Sequence, residues 1–379
     1  MRIGIDARFF GLKSKGLGRY TQKLIENLEL IDSENEYLIF LRRENWDEFC
    51  PKSANFKKIL ADYRWYSLAE QIFMPFCIRK NKVDLMHFPH FNVPIFYFKP
   101  FVITIHDLIL RRFPTHRAST LSLFKYWIKN FGYRLVIWSA IKKAKKIIAV
   151  SEYVKEDILK FYRVDPEKIQ VVYEGAPEMT GHSSRIASLT SASDGDSTRS
   201  NRNIDDKEKY LLYVGNAYPH KNLEKLIDAF EILKKRHPDL RLFLVGEDDY
   251  FYRRLKLEKR AEGVFFYGFV PDEKLAELYQ NASAYVFASL CEGFGLPPLE
   301  AMAHGLPVAC SDATCLPEIL GQAAIYFDAN DPGGMAEKIN QLLDDGLLRE
   351  KLIQNGFERI KRYSWRKMSE EAITLYKAV

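Results

Sequence analysis

No part of this chain runs for about 18 uninterrupted apolar residues, which excludes an ordinary bilayer-spanning helix. The opening Met-Arg-Ile-Gly-Ile-Asp lacks a charged region followed by an apolar one, so no secretory signal is expected. Cysteine is sparse. Cys50, Cys77, Cys291, Cys310 and Cys315 form neither Cys-x-x-Cys nor any histidine pairing at zinc spacing. That argues against a zinc module and a disulfide framework, and suits a reducing cytoplasm. No short-period repeat is present, and nothing suggests a fibrous or disordered chain.

What is present is ordinary folding material: 47% hydrophobic and 28% charged residues, with 26 Phe and 21 Tyr. At 379 residues the length favours two domains. The charge is unevenly spread. Residues 1–175 carry 30 Lys and Arg against 19 Asp and Glu, whereas the remainder carries 26 against 31. A basic first half implies an anionic partner there. No recognisable nucleic-acid module accompanies it, so nucleic acid is not expected.

Short β-branched and aromatic runs alternate with helical patterns, the signature of parallel sheets covered by helices. The first series is Ile3–Ile5, Tyr37–Leu41, Leu85–Phe88, Phe101–Ile105, Lys146–Val150 and Ile169–Val172. The second is Leu211–Gly215, Leu242–Gly246, Val264–Tyr267, Ala284–Ala288, Val308–Cys310 and Ala324–Phe327. Between them Gly181–Asp206 is rich in Ser, Thr, Asp, Asn and Arg and reads as a loose linker. The expectation is α/β: two facing doubly wound Rossmann-like domains with a cleft between them. Their bounds are 1–175, a linker at 176–207, then 208–361, and a helix at 362–379 packing back on the first domain. Ligands of such sheets sit beyond the carboxyl ends of the strands, so those loops are searched for chemistry.

The sharpest loop is Cys-Glu-Gly-Phe-Gly-Leu-Pro-Pro-Leu-Glu, 291–300. A strand leads into a glycine-bearing loop, then prolines open a helix. The amides of Phe294, Gly295 and Leu296 would seat a phosphate at the helix start. Glu292 and Glu300 flank that seat, as acceptors for sugar and ribose hydroxyls. The bland alternative is a first-turn acid and a solvated loop acid.

Here the chain resembles the retaining glycosyltransferases of family 4, whose hallmark is a Glu, seven residues and a Glu, matched by Glu292 and Glu300. The resemblance covers nearly all of the chain outside Gly181–Asp206. It implies the GT-B fold, a nucleotide diphosphate sugar as donor bound by the second domain, and no metal or other cofactor. It also implies that Glu292 contacts the donor sugar and Glu300 the ribose.

Lys221, in Val-Gly-Asn-Ala-Tyr-Pro-His-Lys-Asn-Leu (214–223), follows the first strand of the second series. It is expected to neutralise the diphosphate and stabilise the leaving group. Where the family often has an arginine this chain has Asn216, leaving His220 as a second phosphate candidate. In Phe-Tyr-Gly-Phe-Val-Pro (266–271), Gly268, Phe269 and Val270 resemble the segment whose backbone meets the nucleobase.

In the first domain, Thr-Ile-His-Asp-Leu (104–108) puts His106 and Asp107 at a strand end. The family places such a histidine facing the donor sugar, and Asp107 is assigned to the acceptor. Gly16-Leu17-Gly18-Arg19-Tyr20 fails as a dinucleotide fingerprint, lacking the third glycine and the ribose acid. In the family a similar loop approaches the diphosphate, which assigns Gly16 and Gly18 to the donor and Arg19 and Tyr20 to the acceptor. Ser151, after another strand, reads as a helix cap.

Residues 120–146 interleave Leu121, Phe124, Trp127, Ile128, Phe131, Trp138 and Ile141 with Lys125, Lys129, Arg134, Lys142, Lys143, Lys145 and Lys146. One reading is a core helix with a solvated lysine face. The other is a surface resting on anionic lipid at the inner face of the membrane. Taken together, the expected activity is transfer of a hexose to a glycan or lipid-linked acceptor. GDP-mannose is the first donor expected, from likeness to bacterial mannosyltransferases of polysaccharide assembly. The alternatives are another GT-B enzyme such as a sugar-nucleotide epimerase, a non-catalytic sugar-binding protein, or a glycoside hydrolase, which needs no phosphate seat.

Overall fold

In the computed structural model, residues 1–11, 15–113, 117, 122–177 and 209–379 are described. Of the expected linker, Gly181–Asp206 lies outside them, as do Leu121 and the side chains of Phe124 and Lys125. The chain divides into two compact units, one of Met1–Gly175 with Tyr363–Val379, the other of Ala176–Arg362.

The first unit contains, in chain order, β1 (Arg2–Asp6), α1 (Lys15–Ile31), β2 (Glu36–Leu41), β3 (Phe56–Leu60) and α2 (Leu68–Lys80). It continues with β4 (Leu85–Phe88), β5 (Phe101–Ile105), α3 (Ile109–Arg112), α4 (Leu123–Lys143), β6 (Lys146–Ala149), α5 (Glu152–Tyr162) and β7 (Ile169–Val171). Its sheet is parallel throughout, in the order β3-β2-β1-β4-β5-β6-β7. β4 and β5 are buried along their whole length, and β2 along all but its first residue, which is why they read as apolar runs. β3, Phe-Lys-Lys-Ile-Leu, is absent from the sequence reading. It is an edge strand whose two lysines stay accessible, so it lacks the apolar run that marks its neighbours.

The second unit holds β8 (Tyr210–Val214), α6 (Leu223–Lys234), β9 (Arg241–Val245), α7 (Tyr250–Glu258), β10 (Val264–Gly268), α8 (Asp272–Asn281) and β11 (Ala284–Phe287). These are followed by α9 (Leu296–Ala303), β12 (Val308–Ser311), α10 (Leu316–Leu320), β13 (Ala324–Phe327), α11 (Pro332–Asp344) and α12 (Gly346–Ile360). Its six parallel strands run β10-β9-β8-β11-β12-β13. Helix starts follow their capping chemistry. Ser151 accepts from the Val154 amide at 3.2 Å, Asp249 from Phe251 and Tyr252, and Asp345 from Leu348.

The last helix, α13 (Trp365–Lys377), begins at the Ser364 cap and belongs to the first unit. Met368, Ala372, Leu375 and Tyr376 enter the same core as Ile3, Tyr20 and Leu24. Gly175 allows the close approach, since a Cβ there would meet Trp365 Cγ at 2.3 Å. Tyr376 is further tied by a polar thread. Its hydroxyl lies 2.6 Å from His87 Nδ1, and His87 Nε2 lies 2.9 Å from Thr104 Oγ1. Burial, with His106 nearby, pushes His87 down to about 3, so this internal imidazole is neutral.

Candidate functional site

In each sheet the chain winds outward in two directions from one pair of adjacent strands, and the loops after that pair diverge to leave room for a ligand. In the second unit the pair is β8 and β11. The loop after β8 carries Lys221 and the loop after β11 carries Glu292. Lys221 Nζ and Glu292 Oε1 meet at 2.6 Å, with side chains only 13% and 11% exposed. A half-buried pair of this kind needs fixed backbone on both sides. Asn222, in the left-handed region at φ 59°, donates to the carbonyls of Ala288 and Ala329 and locks the lysine's loop. The Leu290 amide donates to His220 O, and the Glu292 amide to Thr314 Oγ1. Lys221 has three N–H donors, so it can serve Glu292 and a phosphate together.

The helix start stands beside this pair. Gly295 precedes α9 at φ 97°, a conformation that favours glycine, and a Cβ there would press on Leu316 at 2.9 Å. Phe294 is buried, with its carbonyl accepting from Cys315 Sγ, and Leu296 opens the helix. Glu300, one turn further, accepts from Tyr279 OH at 3.2 Å, and the Tyr279 ring stacks on His304. Among the nucleobase candidates, Gly268 has φ 71°, Phe269 stands exposed and Val270 is half-buried.

Two assignments change in detail. His220 is held down to about 4, first by burial and then by the Lys221 charge, so at neutral pH it can donate a hydrogen bond but supplies no second cation. Asn216 spends its side-chain oxygen on its own turn, accepting from the Tyr218 amide at 3.2 Å. Sequence reasoning missed the support below. Tyr252 OH donates to Gly215 O, and a Cβ at Gly246 would lie 2.0 Å from that same oxygen. Both strand-end glycines were visible in the sequence, but only the fold shows that they touch.

In the first unit the diverging pair is β1 and β4. The turn after β1 is fixed from inside. Arg8 donates to both oxygens of Asp6 and to Glu70 Oε1, each at 2.6–2.7 Å, and to the Tyr63 carbonyl. Asn92, after β4, donates to Glu70 as well. Gly16 and Gly18 lie within the first turn of α1, Gly16 exposed and Gly18 buried, with Arg19 half-buried. Tyr20, expected at the acceptor, is corrected to a core residue: it is fully buried and its hydroxyl lies 3.1 Å from Thr104 Oγ1. Asp107 accepts from the Ile109 amide in the turn that opens α3.

His106 sits at the end of β5, edge-on to Tyr20, with both ring nitrogens engaged. Nδ1 is 2.9 Å from Glu174 Oε1 and Nε2 is 2.9 Å from Pro89 O. Two acceptors call for two N–H donors, which is the imidazolium. Burial opposes that charge, but Glu174 together with the Pro89 carbonyl and the Asp107 charge raises the histidine above its ordinary value. This imidazole therefore offers no free lone pair as a base. Glu174 went unremarked in the sequence because its partner lies 68 residues away.

The sign of the linkage is testable. A raised folded value adds stability in full below about pH 6.5, lost as pH rises through the folded value. Glu174→Gln is expected to cost about 2 kcal/mol near pH 6 and clearly less in alkali, once the histidine has lost its proton. Melting curves across that range check it, and a cost independent of pH contradicts the charged pair.

Two parallel-sheet Rossmann-like units, the second setting a lysine–glutamate pair beside a helix start at its switch point, define a glycosyltransferase of the GT-B architecture. The chain belongs to this group by sequence as well: residues 16–177 match the model "Glycosyltransferase Family 4" and residues 194–359 match "Glycosyl transferases group 1". It is 28% identical to O-antigen chain mannosyltransferase B of Escherichia coli, covering 96% of each chain. It is 27% identical to the O-antigen chain mannosyltransferase RfbU of Salmonella typhimurium, over 75% of this chain and 72% of that one. In fold it is similar to sucrose-phosphate synthase of Thermosynechococcus elongatus, with TM-score 0.75 at 17% identity, covering 100% and 98%.

Proposed function

We propose that this glycosyltransferase transfers mannose from GDP-mannose, with retention and without metal, to a glycan or lipid-linked glycan in polysaccharide assembly at the cytoplasmic face of the membrane. The observation that carries the transfer chemistry is the Lys221–Glu292 pair beside the α9 helix start. A diphosphate there meets an ammonium and helix-start amides in place of a metal, and both act on the charge that grows as the glycosidic bond breaks. Glu292 and Glu300 supply acceptors for the hydroxyls of the sugar and the ribose. Mannose is supported by the two O-antigen mannosyltransferase relatives. His106, with both nitrogens engaged, acts as a fixed charge and not as a base, which suits a mechanism in which the departing phosphate oxygen takes the acceptor proton.

The test is GDP release from GDP-mannose, with and without a membrane fraction that supplies acceptor. Release that requires acceptor, with an α-linked product, supports the reading. Release without acceptor points to epimerisation or hydrolysis, and a β-linked product contradicts retention.

A further inference from the structure

The loop that carries Glu292 is held along its length from a third strand. At the end of β12, Ser311 Oγ donates to Ser289 O at 2.6 Å, and further on Thr314 Oγ1 accepts from the Glu292 amide at 3.1 Å. Cys315 Sγ donates to Phe294 O at 3.4 Å, and Leu316 fills the space that a Cβ on Gly295 would need. The two stretches thus run side by side, from 311 against 289 to 316 against 295. The holding stretch is itself anchored, since the Asp312 amide donates to Phe327 O, at the end of β13, at 3.0 Å. Asn222, beside Lys221, donates at 2.7 Å to Ala329 O, just past the same strand. Both members of the ion pair are therefore tied, through their loops, to the end of β13.

One residue of the holding stretch adopts a backbone that its side chain disfavours. Thr314 has φ 58°, the left-handed region, where a β-branched residue is a rare outlier and glycine the usual occupant. Such a conformation persists only where its surroundings hold it, and it collects at sites that depend on fixed geometry. Here the hydroxyl is what the surroundings use. Glycine would relieve the backbone but leave the amide of Glu292, a residue only 9% exposed, without its acceptor. That amide fixes where the side chain starts, and its carboxylate lies 2.6 Å from Lys221 Nζ. A displacement of about 1 Å in such a site can cost up to about 100-fold in rate.

We propose, on the reading of Lys221 and Glu292 as the transfer site, that Thr314 is a positioning residue for transfer. Its strained backbone and its hydroxyl set Glu292 against Lys221, and the stretch from Ser311 to Leu316 is a clasp that orders the helix-start amides behind it. The support comes from β12, a strand that contributes none of the charged groups of that site.

The experiment compares Thr314→Gly, Thr314→Val and Thr314→Ser in the full chain. It reads melting temperature, hydrogen exchange of residues 290–296, and kcat and KM for GDP release from GDP-mannose with the acceptor membrane fraction. In Thr314→Gly, relief of the left-handed backbone offsets the lost hydrogen bond, so melting should stay within about 3 °C of wild type. Its kcat should still fall about tenfold, with KM changed less than about threefold, and exchange of 290–296 should quicken. Thr314→Val keeps the strain and loses the acceptor, so it should lose the same kcat and melt lower as well. Thr314→Ser should recover most of the rate. Near-normal kcat in Thr314→Gly, or a kcat that follows melting temperature across the three variants, overturns the proposal. So does a Thr314→Ser enzyme no faster than Thr314→Gly. If wild type releases no GDP from GDP-mannose, the donor reading fails and exchange decides alone. Quickened exchange of 290–296 in Thr314→Gly at unchanged melting then upholds the clasp, and exchange equal to wild type overturns it.

Discussion

Lys221→Ala is expected to lower kcat about 10²- to 10³-fold, the usual cost of deleting one preorganised group that stabilises transition-state charge. The same change carries a structural cost, because it strands the Glu292 carboxylate in a site where only 11% of it reaches solvent. The two effects are separable. The double variant Lys221→Met with Glu292→Gln removes both charges and should recover most of the stability lost by Lys221→Ala. It should recover none of the rate. If activity returned with stability, the lysine would be a strut for its loop and not a participant in transfer. Near-normal turnover in Lys221→Ala itself would refute the role outright.

The second large effect belongs to the first unit. Arg8 is fully buried between Asp6 and Glu70, whose side chains are 5% and 0% exposed. Burial raises Glu70 above the usual carboxylate range, with Arg8 holding it partly back. Arg8→Ala leaves two buried carboxylates without a cation, and the expected cost is about 3–5 kcal/mol. For a unit of this size that lowers the melting temperature by about 10 °C. The pH dependence fixes the cause. Without Arg8, Glu70 rises further, so the variant is more stable in acid, where the carboxyl is protonated, and loses that stability as pH climbs. Its deficit against wild type should therefore be smaller near pH 5 than near pH 8. A pH-independent deficit would assign the loss to the missing side-chain volume.

The Arg8 cluster shows where sequence reasoning ran out. Asp6 and Arg8 are close in the chain, but Glu70 lies 62 residues from Arg8, and nothing local in α2 separates a buried acid from a solvated one. The strands of both sheets were legible because central parallel strands are apolar on both faces. β3 was not, since Lys57 and Lys58 break its run. In the site, Glu292, Gly295 and Glu300 were legible from one contiguous motif. Lys221 was recognised by its place after β8, yet its direct contact with Glu292, 71 residues away, depends on β8 and β11 lying side by side. Tyr20 was misread because a tyrosine in a polar-looking loop motif carries no sign of the helix that turns it inward. For His106 the position was legible, but the partners that engage both its nitrogens, Pro89 O and Glu174, come from two other loops.

In the proposed mechanism the second unit binds a nucleotide diphosphate through Lys221 beside the α9 helix start. Thermal shift with GDP, UDP, dTDP and ADP tests it most directly, since a ligand at 100 times its Kd adds about 2.7 kcal/mol. GDP should give a larger shift than the other three, and that shift should nearly vanish in the folded double variant Lys221→Met with Glu292→Gln. A GDP shift undiminished in that variant, or no shift with any of the four nucleotides, would contradict it.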